Sequence, residues 1–385
     1  MNYKNNVKAL YAFSLLTSIS LFSAIMVPFM TDWAGITFQQ ILFLQSWFML
    51  SMFLLEVPTG VIADKFGRKT SLALGAGINA ISAIVYGLTP NFYVFMLGEF
   101  LFALSITLVS GADKALIYDT LKKTKETKKS TKIFSNYAIY AALGYMIAGP
   151  VGSIIAKYYP LNYPMLLTAI PFGIACLIMF LVKEPKTKQK LDEAKQFRMA
   201  INGVKYLIKH SKLRSLAINN ALFMLSVYYL FWIWQPTAKL AQIDIIYFGF
   251  IVTGMNLTGM LFMKKIDWFQ KKIGSKKALL TLSIMPGFFF IIMAITKNPI
   301  IIVLSIFLIM GARQSRRPLM SSYMQKYIQS HNRATVNSAI SMSATILIII
   351  SNLFMGVLID YSLNITLIII GTFSILFNIF SKPEA

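Results

Sequence analysis

The sequence predicts an all-α membrane protein of twelve transmembrane helices, arranged as two six-helix, pseudo-symmetric bundles. Three observations carry this. Hydrophobic residues make up 57% of the 385 positions and charged residues only 13%, against about a quarter charged in a soluble chain. The apolar residues fall in blocks long enough to cross a hydrocarbon core of roughly 30 Å, which takes about 20 residues. Lys and Arg gather in alternate loops between those blocks.

The predicted spans are 10–30, 37–62, 70–89, 91–118, 133–156, 162–182, 213–236, 243–263, 277–296, 298–325, 335–359 and 364–381. Pro58, Pro150, Pro171, Pro286 and Pro318 lie inside them. Membrane helices tolerate such prolines because neighbouring groups satisfy the freed carbonyls. The N-terminus shows no cleavage-site pattern, so the first block reads as a retained helix.

One set of loops holds Lys4 and Lys8, then Lys65, Arg68 and Lys69, then six lysines between Lys122 and Lys132. It continues with the segment 183–212, six lysines between Lys264 and Lys277, and Lys326 with Arg333. The opposite loops hold only Lys157, Lys239 and Lys297. By the positive-inside rule both termini are cytoplasmic, in a multi-pass protein of the cell membrane. The same asymmetry accounts for the net charge of +23 without nucleic acid as a partner.

The lone Cys176 excludes an internal disulfide, and no metal or cofactor site is legible. The chain divides into a first bundle, 1–182, a cytoplasmic linker, 183–212, and a second bundle, 213–385. Phe197, Ile201, Val204 and Ile208 in the linker are spaced as one face of a surface helix. The halves repeat: Phe66-Gly67-Arg68-Lys69-Thr70-Ser71-Leu72 matches Ile273-Gly274-Ser275-Lys276-Lys277-Ala278-Leu279, an offset of 274 − 67 = 207. The first and seventh spans begin 213 − 10 = 203 apart. Parallel six-span repeats are a known transporter architecture.

The ten residues from Gly60 to Lys69 carry four charges between apolar blocks. Gly60 permits a close helix approach and Gly67 a tight turn at positive φ. Asp64 and Arg68 are an acid and a base at a membrane boundary, and Asp119 ends the fourth span on the same side. Gly60, Asp64, Gly67, Arg68 and Lys69 resemble the signature loop of the major facilitator superfamily, with Lys65 for the usual Arg. The resemblance covers the whole chain, since twelve spans and a long middle loop agree with it. It implies a charge relay Asp64–Arg68–Asp119 that latches the outward-facing state, broken and remade as the protein changes state. The second half departs from the pattern, with Ser275 for the relay arginine and Lys271 for the aspartate.

Gly144-Tyr145-Met146-Ile147-Ala148-Gly149-Pro150-Val151-Gly152 in the fifth span is similar to the Gly-Pro motif of proton-driven exporters in that superfamily. A packing kink explains it nearly as well. The stretches Leu54–Gly60, Ser110–Ala115 and Arg333–Val336 also look like drug-exporter relatives.

Ionisable residues inside spans are expensive and mark function. Glu56, Glu99 and Asp113 are the candidates for proton coupling. Glu99 and Asp113 are 14 residues apart, which on one continuous helix puts them on one face. Lys114 offers Asp113 or Glu56 a structural ion pair instead; Glu99 has no such partner in sequence. Arg313, roughly 22 Å into the tenth span at about 1.5 Å per residue, suits a buried carboxylate or an anionic substrate. Arg316 and Arg317 are expected to snorkel. Asn219, Phe223, Ser226 and Tyr229 form a stripe on the seventh span, and the resemblance implies that spans one, four, seven and ten line a central cavity. Tyr228, Trp232 and Trp234 read as an aromatic belt.

The leading expectation is a monomeric secondary transporter that exports a small amphipathic compound in exchange for protons. The alternatives are uptake of a nutrient or anionic metabolite, and a receptor without transport on the same scaffold. No HExxH, GxSxG or phosphate-cradling GxxxxGK[ST] supports an enzyme or an ATP-driven pump.

Overall fold

The computed structural model describes residues 3–185, 203, 205–329 and 333–380. Among these, ten helices are long and apolar enough to cross a membrane, and Leu363–Ile379 is a shorter apolar helix. The helical faces in the linker that rest on Phe197, Ile201 and Val204 lie outside the described residues.

The first predicted span is not one helix. Helix α1, Tyr3–Thr17, stops at Ser18, and only Met26–Pro28 and a π-turn at Phe29–Trp33 resume it. The run Thr17-Ser18-Ile19-Ser20 explains the break. The Thr17 hydroxyl donates back to the Phe13 carbonyl at 2.8 Å, and such bonds compete with the helical ladder. The freed Leu21 N–H donates to the Thr168 hydroxyl at 3.1 Å.

Helix α2, Phe38–Phe66, runs unbroken through Pro58. Gly67, at φ 95° and ψ 153°, turns the chain directly into α3, Arg68–Leu88. The fourth predicted span divides: α4 is Phe92–Val109, and α5 is Ala112–Lys123 after Gly111 at φ 77°. The shared face expected for Glu99 and Asp113 is therefore lost, because the break resets the helical phase. Helices α6, Ser130–Tyr158, and α7, Tyr163–Leu181, follow. Then come α8, Ser211–Tyr228, and α9, Leu230–Leu240, separated by Tyr229. Helices α10, Phe248–Ile273, α11, Ser275–Ile295, α12, Pro299–Gln325, α13, Arg333–Tyr361, and α14, Leu363–Phe380, complete the chain.

The helices form two compact units. The first comprises Met1–Ile36, Phe43–Leu191 and Ile245–Phe250. Leu10, Phe13, Leu72, Leu116 and Met179 centre its core, beside an aromatic stack of Phe29, Tyr86 and Phe95. Within it, a Cβ on Gly144 would strike the Leu15 carbonyl, and one on Gly152 the Leu21 carbonyl. The glycines of α6 thus admit the unwound first segment at backbone contact. Gly149 backs onto Gly249, and the Ser153 hydroxyl donates to the Ile246 carbonyl at 3.0 Å.

The second unit comprises Thr37–Leu42, Asp192–Asp244 and Ile251–Ala385. Leu213, Leu216, Leu279, Leu282, Met320 and Val336 centre its core. The Asp360 carboxylate accepts from the Phe38 and Gln39 N–H groups at 2.8 and 2.9 Å, which holds the start of α2 to this unit.

The repeat is visible in the backbone. Gly274, at φ 84° and ψ 151°, repeats the conformation of Gly67, and α3 and α11 each have 21 residues. Asn91 and Asn298, also 298 − 91 = 207 apart, both cap the next helix by accepting from the second and third N–H groups beyond them.

Candidate functional site

Four elements meet at the lysine-rich end of the first unit. The Arg68 guanidinium forms an ion pair with Asp119, which α5 carries and burial shields. Glu184 enters from beyond α7, and its carboxylate accepts from the Arg68 backbone N–H. It sits where a Cβ on Gly67 would stand. A carboxylate at a helix N-terminus meets unpaired N–H groups and the positive end of the dipole. Gly67 is therefore required twice, by its backbone angle and by the anion against its Cα. The Asn6 side chain ties the same end together: its amide donates to the Lys183 carbonyl at 2.7 Å, and its carbonyl accepts from the Lys183 N–H at 3.1 Å. Lys69 Nζ donates to the Phe180 carbonyl at 2.8 Å.

Asp64 does not join this network. It lies exposed in the last turn of α2, outside the ion pairs found among the described residues. Gly60 does not serve a close helix approach either, since a Cβ there meets nothing within 4 Å. Its turn of α2 faces open space, with Glu56, Val57 and Val61 exposed around it.

Glu99 lies on α4, 3% exposed. Gln45 Nε2 of α2 donates to its Oε1 at 2.8 Å, and the Tyr86 hydroxyl faces it from α3. No cation pairs with it among the described residues. The other two proton-coupling candidates are placed differently. Glu56 is exposed on α2. Asp113 is half-buried in the first turn of α5, where it accepts from the Lys114 N–H at 2.6 Å and faces the Tyr137 hydroxyl. The Lys114 side chain is exposed and pairs with neither acid, because the α5 N-terminus already serves Asp113.

The second unit holds a buried cation that sequence position alone misplaces. Arg316 does not snorkel: it is 1% exposed. Its guanidinium donates to the Asn219 carbonyl at 2.5 Å, to the Ser283 hydroxyl at 2.6 Å and to the Asn220 carbonyl at 3.2 Å. The Phe223 ring lies 3.9 Å beneath it. The Asn219 amide donates to the Asn378 side-chain carbonyl at 3.3 Å and carries the network to α14. Every acceptor is neutral. Depth along the span singled out Arg313, but helix face decides burial, and it buries Arg316. Arg313 is half-buried one turn away, its Nη1 3.9 Å from Met310 Sδ.

The seventh-span stripe is packed inside this unit. Asn219, Phe223, Ser226 and Tyr229 are all buried. Asn219 and Phe223 serve Arg316, Ser226 donates to the Leu222 carbonyl, and the Tyr229 hydroxyl meets Ser351 at 2.7 Å and donates to Asn352 at 3.2 Å. Trp232 and Trp234 are buried too, so they form no interfacial belt.

Sequence reasoning missed Glu184, Gln45, Asn6 and the neutral shell of Arg316. The visible signals were an acid immediately after an apolar block, the Asn219-Asn220 pair and a lone amide in an apolar run.

A family model described as Major Facilitator Superfamily matches residues 9–352. The chain is 23% identical to the uncharacterized MFS-type transporter YxaM of Bacillus subtilis (strain 168) over 363 residues, covering 90% of this chain and 88% of that one. Its fold is similar to that of a variant of the nucleoside transporter NupG, with a TM-score of 0.84, 15% identity and 99% of each chain covered. It also resembles a bacterial homolog of the human lysosomal transporter Spinster, with a TM-score of 0.71, 14% identity, and 99% of this chain and 95% of that one covered.

Proposed function

The chain belongs to the Major Facilitator Superfamily, a family of multi-pass membrane transporters, and from that premise we propose that it exports a small amphipathic compound in exchange for protons, with Glu99 as the proton-carrying group. The supporting observation is the burial of Glu99 among neutral partners. A buried carboxylate without a cation is costly, and protonation removes the cost. Gln45 then links charge to shape. It donates to the ionised carboxylate; to a protonated one it can turn its carbonyl and accept. Helix α2 continues without a break from Gln45 to Phe66, about 30 Å at 1.5 Å per residue. One helix thus joins Gln45 to the turn at Gly67. The ion pair of Arg68 with Asp119 acts in this reading as a latch on one state, in a cell-membrane protein whose termini are cytoplasmic and which works as a monomer. Export rests on the likeness of the fifth-span motif to proton-driven exporters.

A second reading has its own observation. Arg316 and Arg313 face no carboxylate among the described residues, which suits a transporter whose substrate is an anion moving inward.

Reconstitution in liposomes with an imposed proton gradient, screened with amphipathic dyes and small anions, separates the two. Gradient-driven dye export that Glu99→Gln abolishes supports the first. Gradient-independent dye flux, or coupling unchanged in Glu99→Gln, overturns it. Anion uptake lost in Arg313→Gln supports the second.

A further inference from the structure

An apolar cleft of about 570 Å³ opens between α10 and α11 in the second unit, and its floor is α12. Small-molecule sites span about 300–1,000 Å³, so its size is that of a binding site. Leu261, Trp268 and Thr281 are exposed at the mouth, and Phe262, Met285 and Leu282 line the inside. Besides the Thr281 hydroxyl at the mouth, two polar groups break this lining. Lys265 stands exposed at the rim. Ser315 is 1% exposed on the floor, and its hydroxyl has no hydrogen-bond partner among the described residues. A buried donor without an acceptor is expensive, and this one lines the cleft.

The two groups stand near one level. Gly259 backs onto Gln314, and Gly311 onto Phe262, so Ser315 lies within about a turn of Lys265. Lys272 sits 5.1 Å from the Trp268 ring beside the mouth. The nearest acid, Asp267, points away into a polar pocket with Gln270, Ser275 and Lys326. The rim is thus positive where the lining is apolar, and it lies at the end of α10 where lysines gather, Lys264, Lys265, Lys271 and Lys272.

We propose that this cleft binds one anionic phospholipid of the surrounding bilayer. An acyl chain fills the apolar cleft, a glycerol-ester carbonyl accepts from the Ser315 hydroxyl, and the phosphate pairs with Lys265. Interfacial Trp and Lys hold the headgroup level, and basic pockets between membrane helices on the inner side are suited to anionic headgroups. The inference is independent of the transported substrate.

Native mass spectrometry of the full-length protein tests it, with phosphatidylglycerol and phosphatidylcholine of identical acyl chains as probes. The wild type is expected to retain one phosphatidylglycerol in preference to phosphatidylcholine. Lys265→Gln reduces that preference about fivefold, the effect of roughly 1 kcal/mol per lysine at an anionic surface. Thr281→Trp, a substitution at the exposed mouth, excludes both lipids. Lys128→Gln, in the lysine-rich loop of the other unit, changes nothing. Equal retention of the two lipids by the wild type overturns the proposal. So does wild-type behaviour in both Lys265→Gln and Thr281→Trp, or an equal loss in Lys128→Gln.

Discussion

Gly67→Ala and Gly274→Ala form a controlled pair. Both residues hold the same backbone conformation, φ 95° and ψ 153° against φ 84° and ψ 151°, in a region that is essentially reserved for glycine and costs another residue about 1–3 kcal/mol. That term is common to both substitutions. The surroundings differ. The methyl of Ala at position 67 would overlap the Glu184 carboxylate, while at position 274 nothing lies within 4 Å. Displacing Glu184 also breaks its bond to the Arg68 N–H, and a hydrogen bond to a charged group contributes about 1.5–3 kcal/mol. Gly67→Ala should therefore cost about 1.5–3 kcal/mol more than Gly274→Ala. For units of this size that is about 3–12 °C in melting temperature. Heating the detergent-solubilised protein with a thiol-reactive dye follows the first unit through Cys176, the chain's one cysteine, packed at the edge of its core. Tryptophan fluorescence follows the second through Trp232 and Trp234 once Trp33 and Trp47 of the first are replaced by Phe. In a Glu184→Ala background the cost of Gly67→Ala should fall to that of Gly274→Ala. Equal costs in the wild type, or a Gly67→Ala cost unmoved by Glu184→Ala, would refute the reasoning.

Asn91→Ala and Asn298→Ala each remove a side-chain cap and should each cost about 1 kcal/mol; melts that differ by several degrees would contradict their equivalence. Arg316→Met removes the donor shared by the Asn219, Asn220 and Ser283 oxygens, and a buried acceptor left unpaired costs about 1–3 kcal/mol. Its melting temperature should fall, and Arg316→Ala, which adds a void worth about 2–5 kcal/mol, should lower it further; an Arg316→Met melt at or above that of the wild type would contradict this. Gly60→Ala fills open space and should gain about 0.5–1 kcal/mol of helix stability. Gly152→Ala drives a methyl into the Leu21 carbonyl and should sharply reduce the yield of folded protein, as fluorescence-detected size exclusion would show.

Much of this architecture was legible because bilayer thickness imposes a length on apolar blocks. Ten of the helices follow from that constraint alone. The turn at Gly67 was legible because few residues accept its angle. The losses have physical causes. Hydropathy averages over a window, so it passed over the serines that unwind the chain after Thr17 and the single Gly111 that splits α4 from α5. Depth along a helix was readable but facing was not, which is why Arg316 was assigned to the surface and is buried. Glu99 was singled out from its cost in an apolar run, yet its partner Gln45 lies 54 residues away. Glu184 is 116 residues from Arg68; no local pattern joins positions so far apart, and only folding does.

The contacts of Asn6 with Lys183, and of Glu184 with the start of α3, bear on the order of assembly. They join the beginning of the chain to the residues that follow its sixth apolar block. Nothing synthesised after Glu184 is needed to make them. During biogenesis the first unit can therefore fasten its lysine-rich end while the remaining spans are still unmade, and that early closure pins the start of the linker before its far end has a partner.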